Sequence, residues 1–354
     1  MLKKITFSVL LTLALLEIAL RLGGFYRTYS ERIGKGYQSY YNVTYNSWYF
    51  TYPPDTSFVA DNGDFKFAYT TNSLGLREKE FAEPATDSTL KIITIGDSFT
   101  EGVGAPYDST WPRLLEDELQ PKGISASVYN AGMGGADPFY EYTLFRDKLV
   151  SYKPDMLVMV INSSDFADYL FRGGFERFKP DGTTVYKTGP WYEPLWQYSR
   201  TARLAMHALL GFKKGNLFVQ RSRMKEEYAG AVAAIAVACD SIEQLCNGIG
   251  CNLTVVLHPS PSEVMYRKQH FHFGPWQYQY VSEEARLLAD VMQQLDSKLT
   301  SKGIPVINLW HSFDTIINTE NYLQYTYEND RHFNATGYKI MEGFIIKDLQ
   351  IATR

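Results

Sequence analysis

The sequence is poor in cysteine and carries little net charge. Only three of its 354 residues are cysteines, charged residues make up 21%, and the formal net charge is −4. Nucleic-acid partners usually require a strongly basic balance or a run of like charges, and neither is present. Internal repeats and low-complexity segments are also absent. With 45% apolar residues, we expect a folded protein with a sizeable core and no nucleic-acid partner.

The cysteines lie close together, at Cys239, Cys246 and Cys251. Their spacing matches no metal-binding motif. Cys239 and Cys246 lie about two turns apart on a predicted helix, which is too far along the axis for a disulfide. Cys246 and Cys251 flank a glycine-containing turn. They either form a disulfide in an oxidising compartment or stay as buried thiols.

The N-terminus carries an apolar segment behind a basic start (MLKK). Residues 5–16 contain no charge, and Glu17 and Arg21 then interrupt the apolar stretch. This order is typical of an export signal, and about 19 apolar residues can cross a bilayer. No small-x-small cleavage site follows. We expect residues 1–24 to form an uncleaved anchor that holds the rest outside the cytoplasm, on the periplasmic side. Cleavage would give a secreted protein, and a buried or amphipathic helix is the alternative.

Composition divides the rest of the chain into two parts. Residues 25–88 combine Tyr, Thr, Asn, Pro and Asp with short alternating runs, which predicts an irregular or β-rich extension wrapped around the main domain. Residues 89–354 have the texture of an α/β domain. Within them, residues from about 166 to 223 are rich in glycine, proline and aromatics and are too long for an ordinary connection. We interpret this stretch as an insertion over the strand ends.

From residue 90 onward, apolar runs of strand length alternate with segments of helical spacing. The predicted strands cover residues 90–95, 125–129, 156–161, 253–257 and 305–309. The predicted helices cover residues 111–119, 139–152, 226–245, 282–299 and 335–349. This alternation indicates a parallel sheet, and such sheets bind ligands at the carboxyl ends of their strands.

The first polar motif follows the first predicted strand. Residues 96–102 read GDSFTEG, which places Ser98 on a sharp strand-to-helix turn between two glycines. A serine there can project outward, with its own backbone N–H facing an oxyanion formed beside it. Gly-Asp-Ser alone is an ordinary turn sequence. Its position directly after an apolar strand makes Ser98 the candidate nucleophile.

Two further motifs follow the next two strands. Residues 130–135 read NAGMGG, a glycine-rich turn, and residues 160–165 read VINSSD. In an extended strand, Asn162 and Ser164 would point to the same side. Either side chain can donate a hydrogen bond, and a strand-end cap is the alternative role for Asn162.

The fourth motif lies ahead of the last predicted helix, where residues 329–338 read NDRHFNATGY. A nucleophilic serine needs a general base and a carboxylate that holds the base in one tautomer. His332 is the candidate base, and Asp330 lies two residues before it. Asn334 is expected to cap the last helix. His258, after the fourth strand, could also line the site.

Together the four motifs resemble those of the SGNH/GDSL hydrolase family over roughly residues 90–350. The resemblance implies a flavodoxin-like, three-layer α/β/α fold with a five-stranded parallel sheet. It also implies that Ser98 is both nucleophile and oxyanion donor. A glycine N–H of the second block would line the oxyanion hole, with Gly135 the best match by spacing and Gly134 a rival. The family has Asn directly before the Asp of the third block, whereas this chain has Ser164, so Asn162 or Ser164 would be the third donor.

The fourth block departs from the family pattern as well. The common spacing is Asp-x-x-His, and here the aspartate is two residues before His332. This resembles an Asp-x-His variant in anchored bacterial members, which assigns Asp330 to orienting His332. Residues 72–77 (NSLGLR) resemble a segment ahead of the domain in such relatives. Their one evident feature is a turn with Gly75 at a permissive φ.

The sequence therefore predicts a serine esterase that cleaves an O-acyl ester, with O-acetyl on a cell-surface glycan expected by family analogy. A polysaccharide O-acyltransferase with the same catalytic set is one alternative. A non-catalytic glycan-binding protein on a degenerate fold is another. No metal or organic cofactor is implied. The expected partners are an acylated small molecule or glycan and the membrane, and the oligomeric state stays open.

Overall fold

A five-stranded parallel sheet and an antiparallel hairpin contain the strands of the described residues. The computed structural model describes residues 2–26, 50–81, 89–185, 195, 198–209, 224–268, 276–318 and 320–351. The hairpin strands are β1 (Ser57–Asp61) and β2 (Lys66–Thr70). The sheet strands are β3 (Leu90–Ile95), β4 (Ala126–Asn130), β5 (Met156–Asn162), β6 (Asn252–His258) and β7 (Val306–Asn308).

Helices occupy most of the connections between these strands. In chain order they are α1 (Leu2–Leu22), α2 (Ser98–Glu101), α3 (Trp111–Leu119), α4 (Pro138–Leu144), α5 (Ser164–Arg172) and α6 (Arg200–Leu209). They continue with α7 (Met224–Ile249), α8 (Pro261–Lys268), α9 (Trp276–Thr300), α10 (Trp310–Ile316) and α11 (Ala335–Asp348).

The sheet has the order β4-β3-β5-β6-β7, and all of its pairs are parallel. Counted along the sheet strands alone, this is the flavodoxin-like order 2-1-3-4-5. Successive side chains of β5 point to opposite faces, because a strand alternates with period two. Leu157 joins one buried cluster with α4, α7 and α9, whereas Val158 joins a second cluster with α3 and α11. The predicted three-layer α/β/α fold is thereby confirmed.

The segment after α4 differs from the single helix predicted over residues 139–152. The α-helical part ends at Leu144, and one π-helical turn and one 3₁₀ turn follow, over Phe145–Leu149 and Val150–Tyr152. Phe145 and Leu149 are buried all the same. The apolar spacing correctly predicted the buried face, because a side-chain period does not distinguish α from π hydrogen bonding.

The hairpin of β1 and β2 lies against the side of the sheet that carries α4. Tyr52, Ala60, Phe65 and Tyr69 belong to the same buried cluster as the strand residues Ile93 and Leu157. The β-rich character expected of the extension therefore holds for residues 57–70. Residues 27–49 and 82–88 of that extension lie outside the described part of the chain.

Two helices among the described residues are long and apolar enough to cross a membrane, α1 and α7. Much of α7 is buried, with residues such as Ile235 and Cys239 in the core, as expected of a core helix. The apolar side chains of α1 are largely exposed, including Phe7 and Leu10. Composition and exposure together therefore leave α1 as the candidate anchor.

Helix α5 begins close to where the insertion was expected, and α6 lies inside it. Residues 186–194, 196–197 and 210–223 of that stretch lie outside the described part.

The three cysteines are buried and free. A hydrogen bond with Cys251, together with burial, raises the pKa of Cys246. The two thiols are therefore neighbours, as the turn between them predicted.

Candidate active site

The turn after β3 presents Ser98 at the first position of α2. Asp97 caps this short helix, because its carboxylate accepts a hydrogen bond of 2.9 Å from the Phe99 N–H. Gly96 is required, since a Cβ at that position would collide with Thr100 and lie 3.1 Å from the Cβ of Val160. Ser98 is partly exposed while both of its neighbours are buried. The nucleophile candidate therefore faces outward from a rigid turn.

Ser98, His332 and Asp330 form one hydrogen-bonded chain. Ser98 Oγ lies 2.7 Å from His332 Nε2, and His332 Nδ1 contacts Asp330 Oδ1. Because an ionised carboxylate only accepts hydrogen bonds, Nδ1 must carry the proton and Nε2 is left to accept from the serine. Burial by itself lowers the pKa of His332, but the Asp330 charge and hydrogen bond outweigh it and the pKa is raised.

The short Asp-x-His spacing depends on one unusual backbone conformation. Arg331 has a φ of 72°, in the left-handed region. This turn lets Asp330 Oδ1 accept a hydrogen bond of 3.2 Å from the His332 backbone N–H as well as the contact from its ring. Asn334 caps α11 through a bond of 3.1 Å from Gly337 N, as predicted.

We expect Arg331→Gly to be more stable than Arg331→Val by about 1–2 kcal/mol, because a left-handed φ penalises side chains with a Cβ. Both variants lose the 2.9 Å hydrogen bond to the Tyr266 hydroxyl equally. Urea unfolding of the two variants measures the difference. A valine variant at least as stable as the glycine variant would contradict the left-handed conformation.

The second motif, the glycine-rich turn of residues 130–135, packs directly against α2. Asn130 Nδ2 donates to Thr100 O at 2.7 Å, and a Cβ on Gly132 would collide with the backbone at Thr100 and Glu101. The N–H of Gly134 donates to the Glu101 carboxylate at 2.6 Å. In the described part of the chain, the N–H of Gly135 makes no such hydrogen bond. Which of the two glycines lines the oxyanion hole stays a prediction.

Asn162 and Ser164 occupy different environments. Asn162 ends β5 and is fully buried, with its Oδ1 accepting from Ser164 N at 2.8 Å and its Nδ2 lying 3.2 Å from His258 Nε2. Ser164 is exposed and begins α5. The expected common orientation is wrong, because the strand alternation stops where this helix starts. Which of the two donates to an oxyanion stays a prediction.

His258 lies inside the protein behind the site rather than on its rim. Its ring packs edge-on against Phe99 with centroids 4.9 Å apart, and it is fully buried. Burial lowers the pKa of His258 to about 4. A neutral ring with Nδ1 donating to Pro259 O leaves Nε2 facing Asn162.

Buried acids surround the base of the turn. Burial raises the pKa of Asp97 to about 7, and burial also raises the pKa of Glu101 and Asp165 above the usual range. Among the charges that raise the pKa of His332, that of Asp330 is the largest, and those of Asp97 and Glu101 act in the same direction. Among the described residues, no group of three or more His, Cys, Asp or Glu could hold a metal ion.

Arg77 was missed at the sequence level although its motif was noted. It is buried, and its guanidinium donates to Gly102 O and Ala105 O, both at 2.8 Å. It also lies 3.7 Å from the centre of the Tyr69 ring. Gly75 has the positive φ expected of it. The NSLGLR segment therefore connects the extension to the turn that carries Ser98. The one signal in the sequence that could have indicated this role is a lone arginine after an apolar residue.

Two arginines at the start of the expected insertion bind the second motif (residues 130–135) and Asp137, which follows it. Arg177 makes two bonds to the Asp137 carboxylate, at 2.6 and 2.8 Å, and Asp137 caps α4. Arg172 donates to the carbonyl of Gly135. Arg172 therefore contacts the glycine turn directly, and Arg177 contacts the residue that caps the helix after it.

Comparisons with known proteins agree with this architecture. The model of the GDSL-like lipase/acylhydrolase family matches residues 94–340. An arylesterase of Vibrio mimicus is 26% identical over 81 residues, which is 23% of this chain. The matched stretch spans 40% of the length of that relative.

Two solved structures are among those to which this chain is similar. An acetyl xylan esterase, AlAXEase, is 14% identical with a TM-score of 0.39, covering 74% of this chain and 100% of that one. A lipolytic G-D-S-L family member from Veillonella parvula is 12% identical with a TM-score of 0.41, covering 73% and 97%. With its family model spanning most of the α/β domain, this chain belongs to the GDSL-like lipase/acylhydrolase family.

Proposed function

We propose that the protein is a serine esterase that cleaves an O-acyl ester through Ser98, His332 and Asp330. The observation that carries the proposal is the contact of 2.7 Å between Ser98 Oγ and His332 Nε2, with the opposite ring nitrogen held by a buried carboxylate. This is the arrangement needed to remove a proton from a serine as it attacks.

In the proposed mechanism, Ser98 Oγ attacks the ester carbonyl and His332 takes its proton. The tetrahedral oxyanion accepts from the N–H groups of Ser98 and Gly135, with Asn162 or Ser164 as a third donor. The C–O bond to the alcohol then breaks, and His332 protonates the leaving oxygen. Water, deprotonated by His332, attacks the acyl-serine, and the bond to Ser98 Oγ breaks as His332 returns the proton to that oxygen and the carboxylic acid leaves.

The substrate we propose is an O-acetylated glycan at the cell surface. It is supported by membership of an acylhydrolase family together with the proposed location outside the cytoplasm. An acyltransferase would use the same acyl-serine, but a sugar hydroxyl would replace the water. A glycan-binding protein on a degenerate fold would form no acyl-serine.

The test is covalent labelling of the full-length chain with a fluorophosphonate, followed by turnover of p-nitrophenyl acetate. We expect labelling and hydrolysis by the wild type and by Ser151→Ala, an exposed-serine control, and neither by Ser98→Ala. If Ser98→Ala were labelled as fast as the wild type, the esterase proposal would fail. Faster turnover with acetylation of an added glycan would show transfer rather than hydrolysis.

We further propose that α1 is a retained anchor, with the basic start of the chain on the cytoplasmic side. Glu17 supports retention, because its carboxylate caps α6 by accepting from Thr201 N at 2.8 Å and Arg200 N at 3.1 Å. Arg200 in turn donates to the Leu20 carbonyl at 3.0 Å. Removal of α1 would take these hydrogen-bond acceptors away from α6. The intact mass of the membrane-extracted protein should include α1, and a shorter mass would refute retention.

A further inference from the structure

The turn between β1 and β2 reaches the loop that carries Asp330. Asn62 Nδ2 lies 2.7 Å from Asp330 Oδ2, although the two residues are 268 positions apart in the chain. Both side chains belong to buried residues, 7% and 3% exposed. A hydrogen bond to a carboxylate in such surroundings is stronger than one in water.

The orientation of the Asn62 amide follows from its own turn. Asn62 Oδ1 accepts from the backbone N–H groups of Asp64 and Phe65, both at 3.1 Å. Since N–H groups only donate, the oxygen of the amide must face them. The NH₂ group is then left on the side of Asp330, so the amide donates to the carboxylate.

Asp64 fastens the same loop from the other end of the turn. Its Oδ2 accepts from Asp330 N at 2.7 Å and from Asn329 N at 2.9 Å, while its Oδ1 accepts from Asn329 Nδ2 at 2.9 Å. Phe65 packs on Tyr327 with ring centroids 5.2 Å apart. The backbone and the carboxylate of Asp330 are thus both held by the hairpin.

We infer that Asn62 is a positioning residue for the Asp330–His332 pair, an inference that rests on the proposed function. Asp330 offers Oδ1 to His332 and Oδ2 to Asn62, so a rotation of the carboxylate breaks both contacts. The amide is neutral, so it orients the carboxylate and disperses its charge without adding another. The hairpin of the extension is in this way a functional part of the active site.

The matched variants are Asn62→Ser and Asn62→Ala. A serine can still accept the turn N–H groups but is too short to reach Asp330, whereas alanine loses both roles. Asn318→Ser is the control, because Asn318 Oδ1 accepts from Glu320 N and Asn321 N in the same kind of turn. The full-length chain is assayed with p-nitrophenyl acetate, and rates are expressed per serine titrated with fluorophosphonate.

We expect Asn62→Ser and Asn62→Ala to lower kcat alike, by at least about tenfold, because the base is no longer held in place. KM should change little. Loss of the Asn62 hydrogen bond concentrates the negative charge on Asp330, and this raises the pKa of His332. His332 must be neutral to act as the base. The acid limb of kcat/KM should therefore move to higher pH, by roughly half a unit to one unit. Asn318→Ser should keep the wild-type profile.

Two kinetic results would overturn the inference while leaving the esterase proposal intact. One is a wild-type kcat and acid limb in Asn62→Ser; the other is a loss seen in Asn62→Ala alone, which would indicate a turn role only. If instead Ser98→Ala stayed active, the proposed function would fail. An NMR titration of His332, assigned with His332→Gln, then tests the Asn62 contact independently of turnover. An unchanged pKa of His332 in Asn62→Ser would overturn it.

Discussion

Replacing Asp330 with asparagine is expected to lower kcat by about 10⁴-fold. Asn62 donates to the Oδ2 position, so the carbonyl oxygen of the new amide belongs there and its NH₂ group faces His332. A donor opposite Nδ1 favours the tautomer with the proton on Nε2, which then presents N–H to Ser98 instead of a lone pair. If the new amide took the opposite orientation, the tautomer of His332 would be kept, but the NH₂ group of the new amide would face the NH₂ group of Asn62.

The matched control for this variant is Asp181→Asn. Asp181 is exposed and accepts from Thr183 N at 2.9 Å, two residues on, just as Asp330 accepts from His332 N. It contacts neither Ser98 nor His332 in the described structure. The measurement is kcat for p-nitrophenyl acetate, per titrated serine. A kcat for Asp330→Asn within tenfold of the wild type would mean that Asp330 does not orient the base.

Replacing Arg177 with methionine is expected to reduce the free energy of unfolding by about 3–5 kcal/mol. Arg177 and Asp137 are almost completely buried, at 3% and 0% side-chain exposure. Burial would raise the pKa of Asp137, but the Arg177 charge outweighs it and the pKa is lowered. Without the guanidinium, a buried carboxylate keeps its charge with one main partner missing or takes up a proton, and either outcome is costly.

Arg146→Met tests whether that loss comes from burial. The Arg146–Asp147 pair is also a close arginine–aspartate contact, but its side chains are 33% and 27% exposed. Exposed pairs of this kind contribute only about 0–1 kcal/mol. Urea unfolding of the detergent-solubilised full-length chain measures both variants. Equal losses would show that burial of the Arg177 pair is not the cause of the loss.

The predictions that succeeded rest on local pattern. The apolar run of β5 is buried on both faces, and the parallel arrangement of the sheet follows from the alternation of strands and helices. Ser98 and the glycines around it lie at strand ends, where parallel sheets gather polar side chains. Such features depend on residues a few positions apart, so a single sequence displays them.

The features that were missed join distant parts of the chain. The turn of Asn62, Gly63 and Asp64 in the extension carries no motif, and only its position beside Asp330 makes it the support of the base that we propose. The proposal of Gly135 rather than Gly134 as oxyanion donor depends on Glu101, whose carboxylate accepts from the N–H of Gly134. Neither contact has a sequence period or motif that could predict it.

The sequence by itself determined the α/β architecture, because the period of burial is a local property, and it supplied the motifs from which Ser98 and His332 are proposed as nucleophile and base. The tertiary structure decided how that chemistry is held in place. Asn62, Arg77 and Arg177 each act on a loop far along the chain, and their partners become neighbours only once the sheet has assembled. Hydrogen-bond direction and burial then determine which of the possible donors and acceptors are already occupied.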